Sequence, residues 1–127
     1  MLVFEHLSRR EREILDILYQ RGQASAAEVR AILTDPPTYS GVRAMLRVLE
    51  EKGHIKHESH GLKYVYAPVI NRDKAKKSAV KHLMETFFSN APEQVVAALL
   101  DVSSKKLTSA DLDRMSEMIE QARKEGK

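Results

Sequence analysis

Residues 39–68 read YSGVRAMLRVLEEKGHIKHESHGLKYVYAP, and the period of their apolar residues changes at Gly53. Before it, Val42, Met45, Leu46 and Leu49 recur at i, i+3, i+4 and i+7, the spacing of one buried helix face. Ser40 is the expected cap of this helix and Gly53 its expected stop. After it, residues 54–60 and 62–68 are two β-prone runs around Gly61, and the second alternates as Lys63-Tyr64-Val65-Tyr66. Two such runs pivoting on a glycine predict a hairpin.

Working upstream, Ser8-Arg9-Arg10-Glu11 is a capping box, in which hydroxyl and carboxylate satisfy free amides at a helix start. Ile14, Leu15 and Leu18 follow at helical spacing, and Gly22 offers a stop. Ser25-Ala26-Ala27-Glu28 is a second capping box, opening a short helix with Val29, Ile32 and Leu33 on its apolar face. Asp35-Pro36-Pro37 ends it, because proline cannot continue the hydrogen-bond ladder. Three short helices followed at once by a hairpin predict a winged helix-turn-helix, with a two-stranded wing.

Downstream, Asn71 can cap a long helix through Phe88 that carries Ala75, Ala79, Val80, Leu83, Met84 and Phe87. Ser89-Asn90-Ala91-Pro92 breaks it, and Pro92 suits the first turn of a helix over residues 93–101 with Val95, Val96, Leu99 and Leu100. Thr108-Ser109-Ala110-Asp111 starts a last helix with Leu112, Met115 and Ile119 on one face. A segment of about 57 residues cannot easily bury so much apolar surface by itself. Val80, Leu83, Met84, Phe87, Val95, Leu99, Leu112, Met115 and Ile119 are therefore expected to meet a second copy of the chain. The predicted organisation is mainly α: a winged-helix domain over residues 1–70 and a three-helix dimerisation domain over 71–127.

Composition narrows the function classes. The chain has 127 residues, 43% hydrophobic and 31% charged, which is enough for a packed core. The longest apolar run, residues 95–100, is far short of the ~20 residues a spanning helix needs. Residues 1–6 have neither a basic region nor an apolar core of a secretory leader, so a cytoplasmic chain is expected. With no cysteine, disulfides, thiolate metal sites and thiol catalysis are excluded. No glycine-rich phosphate loop or nucleophile elbow is present, and no enzyme activity or cofactor is expected. Net charge is +3, divided as +1 over residues 1–70 and +2 over 71–127, so a nucleic-acid partner must be argued from local patches.

Such patches exist. Opposite the apolar stripe of the third helix stand Ser40, Arg43, Ala44 and Arg47. Two arginines one turn apart among small residues let a helix lie close in a major groove, where Arg pairs with guanine edges or phosphates. The alternative is a solvated face continued by Glu50, Glu51 and Lys52. The hairpin carries Lys56, His57, His60 and Lys63, suited to phosphate neutralisation or to an ordinary polar turn. His54, His57 and His60 are three apart, but strand alternation puts His57 on the opposite face, and no metal is expected. Arg72, Lys74, Lys76, Lys77 and Lys81 make a locally basic helix, read as the solvated side of a dimer helix.

The stretches Leu7-Ser8-Arg9-Arg10-Glu11-Arg12-Glu13-Ile14-Leu15, Ala24-Ser25-Ala26-Ala27-Glu28-Val29, Tyr39-Ser40-Gly41-Val42-Arg43-Ala44-Met45-Leu46, Leu49-Glu50-Glu51-Lys52-Gly53 and Gly61-Leu62-Lys63-Tyr64-Val65-Tyr66-Ala67-Pro68 occur in this order. In these stretches the chain resembles the penicillinase-repressor family of winged-helix transcriptional repressors, over nearly its whole length. The resemblance implies a homodimer that binds a double-stranded, palindromic operator and blocks transcription of β-lactamase or other stress and resistance genes. It adds Thr38, Tyr39 and Gly41 to Ser40, Arg43, Ala44, Arg47, Lys56, His60 and Lys63 as DNA-contacting positions. A winged-helix module for protein–protein contact is the rival class.

The departures from the family pattern concern specificity and release. The family usually has Thr at the position of Gly41 and often Thr at that of Ala44, while Arg43 matches and Arg47 is this chain's own. Its frequent tryptophan in the first helix corresponds to Tyr19. In the resistance repressors, a membrane sensor-protease pathway leads to cleavage of an Asn-Phe bond in the fifth helix. Alignment through Val95-Val96 places Ala98-Leu99 there, so that junction is absent. The copper-responsive branch relies on C-terminal cysteines, which this chain lacks.

Overall fold

The structure is a computed structural model that describes residues 6–126. Its elements are α1 (Arg9–Arg21), β1 (Ala24–Ser25), α2 (Ala26–Ile32), α3 (Tyr39–Glu51), β2 (Ile55–His60), β3 (Lys63–Pro68), α4 (Arg72–Phe87), α5 (Pro92–Val102) and α6 (Ser109–Lys124). The chain divides into two compact units, residues 1–82 and 83–127, with the division inside α4.

In the first unit, α1, α2 and α3 enclose a core with one face of a small antiparallel sheet. Ile14, Leu15, Leu18, Val29, Val42, Leu46, Leu49 and Ile55 are fully buried there, and Met45 packs against them half-buried. The i, i+3, i+4, i+7 stripe of α3 is the reason this helix has one defined orientation. Its other faces are left to solvent.

Both sequence-level capping boxes form. The Ser8 and Ser25 hydroxyls accept from the Glu11 and Glu28 amides, and each glutamate accepts from its serine's backbone N–H. Gly22 closes α1 at a φ of 86°, where its N–H donates to the Leu18 carbonyl. That left-handed conformation is readily available to glycine.

Two details differ from the sequence reading. The cap of α3 is Thr38, not Ser40: its Oγ1 accepts from the Gly41 N–H at 3.1 Å, and its φ and ψ of −61° and 160° are extended. Both residues are good caps, and the helix starts two residues earlier because Thr38 has the extended backbone an N-cap needs and its hydroxyl reaches the Gly41 N–H. The wing is also part of a three-stranded sheet, ordered β1-β3-β2. Ala24 and Ser25 pair with Tyr66 and Val65. Two residues are too few to display an alternation, so β1 leaves no periodic trace in the sequence.

Glu11 ties α1 to the end of α3. Lys52 Nζ donates to its two oxygens at 3.1 and 2.9 Å. Burial pushes the Glu11 carboxyl up, but the Ser8 N–H, the Ser8 hydroxyl and Lys52 outweigh this and hold it below its ordinary value of 4.5. A depressed carboxyl contributes stability that is present above its unfolded value and lost as pH falls through the folded one. Glu11→Gln should therefore cost about 1–2 kcal/mol at neutral pH and flatten the loss of stability on acidification. Urea unfolding at neutral and acid pH measures both; an unchanged acid limb would contradict the assignment.

The second unit contains the end of α4 with α5 and α6. Thr108 and Asp111 form the capping box of α6, and Pro92 occupies the first turn of α5. Neither helix has a buried residue. Leu83, Phe87, Leu99, Leu112, Met115 and Ile119 are exposed, Phe87 at 72%, as is Val80 in the preceding turns of α4. Met84 and Val95 are half-buried.

Candidate nucleic-acid interface

The face of α3 opposite its buried stripe presents Ser40, Arg43, Ala44 and Arg47, all exposed. Thr38 and Tyr39, at the start of the helix, are exposed as well, and Gly41 is half-buried. The Arg43 guanidinium lies 6.0 Å from the centre of the Tyr39 ring, within cation–π range. A Cβ at Gly41 would stand 3.2 Å from Pro37 Cβ and 3.3 Å from Thr38 Oγ1, tighter than ordinary packing. Glycine here lets the Pro37-Thr38 cap fold closely over the first turn.

The wing is the hairpin β2–β3, with His57 opposite Tyr66, Ser59 opposite Tyr64 and His60 opposite Lys63. Strand alternation turns His57, Tyr64 and Tyr66 toward α3. A groove of about 470 Å³ runs between the two elements, lined by Ser40, Arg43, Arg47, Glu50, His57, Tyr64 and Tyr66. A second hollow of about 290 Å³ is lined by Tyr39, Arg43, Lys63, Tyr64 and Tyr66 together with residues at the start of α2. Arg43 borders both.

This geometry groups the expected residues unequally. Ser40, Arg43 and Arg47 line the groove between α3 and the wing, while Tyr39 and Lys63 line the second hollow, which Arg43 also borders. Lys56 and His60 are exposed, but alternation puts them on the other face of β2, along with Glu58. His60 pairs with Glu58 at 3.5 Å. Among the described residues, no three His, Asp or Glu side chains form a metal-binding group.

Four residues of the channel were not singled out as partners of the arginines: Glu50, His57, Tyr64 and Tyr66. Glu50 lies i+3 from Arg47 and i+7 from Arg43, a spacing visible in the sequence. Its meeting with His57 is visible only in three dimensions. The ring centroids of His57 and Tyr64 are 4.2 Å apart and stacked, and Tyr66 lies tilted 5.7 Å from His57. Burial raises the Tyr66 phenol above its ordinary 10.0, while the Arg43 guanidinium acts against that rise. The tyrosine is buried and neutral at physiological pH, and it lines the groove with the two arginines.

Chemically, two arginines, one of them held by a ring, beside a projecting ribbon can engage a polyanion and read base edges. No helix among the described residues is long and apolar enough to cross a membrane.

Comparison with known proteins agrees with this geometry. A family model described as penicillinase repressor matches residues 7–121. No curated protein sequence matches the chain significantly. Among solved structures, the DNA-binding domain of the repressor BlaI is 26% identical, with 57% of this chain and 90% of that chain covered and a TM-score of 0.49. The hsRosR-S4 complex structure is 16% identical, covers 80% and 93% of the two chains, and has a TM-score of 0.58. An Escherichia coli MarR mutant complexed with operator DNA is 9% identical, covers 92% and 76%, and has a TM-score of 0.51. At those identities the last two show likeness of fold alone.

Proposed function

We infer that this chain, which belongs to the penicillinase repressor family, acts as a homodimer on an inverted-repeat operator and represses transcription by occupying it. Membership makes it a DNA-binding transcriptional regulator, not an enzyme. The finer reading is carried by one observation: Arg43 and Arg47 stand exposed on the face of α3 opposite its buried stripe, with the wing beside them. In this reading α3 enters the major groove and the wing follows the backbone. Residues 1–70 bind DNA, and residues 71–127 join two chains through the apolar faces of α4, α5 and α6. Two-fold symmetry of the protein then requires two-fold symmetry of the operator. The regulated genes are those of β-lactamase or other resistance and stress responses, and the dimer works in the cytoplasm. A membrane sensor-protease pathway is the family's route of release; Ala98-Leu99 offers it no Asn-Phe bond.

Selection of duplexes from a random pool tests this reading. Enrichment of an inverted repeat supports it. Failure to enrich any sequence, with no binding to random duplex at low salt, would favour the protein-contact module instead.

The wing lysines should differ from the arginines. Contacts to phosphate carry no sequence information, so Lys56→Ala and Lys63→Ala should weaken operator and random DNA alike. Each lost contact should lower the salt slope of binding by about one. Because Lys63 lines the hollow that Arg43 also borders, whereas Lys56 lines neither hollow, Lys63→Ala should have the larger effect. Titrations on both duplexes over a salt series measure this; a loss confined to operator DNA would contradict a phosphate role.

A further inference from the structure

The wing is fastened to α3 by an acid–imidazole contact inside the DNA-facing groove. His57 Nδ1 lies 2.6 and 2.9 Å from the two carboxylate oxygens of Glu50. The imidazole is stacked on Tyr64 and tilted against Tyr66, which fixes its plane. Glu50 shares the groove with Arg43 and Arg47. A carboxylate there opposes the approach of a polyanion unless its charge is cancelled.

Resting on the DNA-binding reading, we propose that Glu50 and His57 form a proton-linked clasp: the imidazolium cancels the Glu50 charge and holds the wing against α3 in the DNA-bound state. To donate to the carboxylate, Nδ1 must carry a hydrogen. In the neutral tautomer that does so, the pair carries one negative charge and Nε2 is a bare acceptor. Adding a proton at Nε2 makes the pair neutral and gives the ring a second donor. Groups facing His57 act in both directions. From α3, Glu50 favours the cation and Arg43 and Arg47 oppose it; from β3, Tyr64 and Tyr66 contribute neutral phenols. On its own strand, Lys56 and Glu58 lie on the opposite face. DNA phosphates satisfy both arginines and repel an uncompensated Glu50, so they tip the balance toward the imidazolium.

Binding therefore takes up a proton. Linkage then requires affinity to fall as pH rises through the range in which imidazole loses its charge, by at most about tenfold per pH unit for each protomer. His57 is a positioning residue in this scheme, and Glu50 is the group it neutralises.

The test measures affinity for the selected operator and for random duplex from roughly pH 5 to 8, with wild type, His57→Gln, Glu50→Gln and, outside the groove lining, His54→Gln. Glutamine at 57 keeps a donor for Glu50 but does not titrate. Wild type should weaken as pH rises on both duplexes, by up to about tenfold per unit per protomer where the slope is steepest. His57→Gln should be nearly flat, and His54→Gln should keep the wild-type slope. Glu50→Gln should bind more tightly than wild type at the alkaline end. A wild-type slope retained in His57→Gln, or lost in His54→Gln, would overturn the clasp. Absence of binding to either duplex at every pH would instead overturn the DNA-binding reading, and the clasp with it.

Discussion

Arg43→Ala should weaken operator binding by about 1–3 kcal/mol and relax base preference at particular operator positions. The Arg43 side chain leaves α3 opposite the Val42, Leu46 and Leu49 stripe, so its direction is set by a buried core. It lies near the Tyr39 ring and borders both hollows between helix and wing. A guanidinium held this way loses less freedom when it meets a planar pair of acceptors, and a bidentate contact to guanine is the strongest single discriminator available to it. Arg47 is one turn further along, and its replacement tests whether that side chain reads a base or touches only backbone. Affinity of each variant for the operator, for single-base operator variants and for random duplex decides between these. If Arg43→Ala leaves both affinity and base preference intact, α3 is not the reading element.

Charge placed on the apolar faces of the second unit should dissolve the proposed dimer. Phe87 and Leu99 are 72% and 55% exposed, and burying each such side chain is worth about 1.5–3 kcal/mol. The double variant Phe87→Glu and Leu99→Glu should sediment as a monomer where the native chain sediments as a dimer. Neither residue belongs to the core of the first unit, so the winged-helix fold and its unfolding transition should persist. A monomer holds one half-site at a time, and losing the linkage between half-sites should weaken operator affinity by about 10²–10⁴. Removal of residues 69–127 should act in the same direction. A variant that remains a tight dimer, or residues 1–68 that dimerise alone, would place the interface elsewhere.

The elements built from local signals were readable in advance. Ser8 with Glu11, Ser25 with Glu28 and Thr108 with Asp111 are spaced to cap helices, and each forms the box its spacing implies. The stripe of α3 announces one buried face and the core lies where it points, whereas of the alternating residues of β3 only Tyr66 enters that core. Exposure of the apolar residues of α5 and α6 follows the same logic, because a short segment cannot cover them.

Other features depend on which residues meet across the chain. Strand β1 exists because Ala24 and Ser25 find Tyr66 and Val65, far along the sequence. The cap of α3 is Thr38 because, of two suitable hydroxyls, it is the one on extended backbone within reach of the Gly41 N–H. The channel is the clearest case. Arg43 and Arg47 are recognisable from helical period, but their neighbours Glu50, His57, Tyr64 and Tyr66 come together through strand register and the packing of β2 on α3. Period and capping act within a few residues and are written into the order of side chains. Register and helix-to-wing packing act between distant segments, so the partners that give this face its charge balance emerge only when the core has closed.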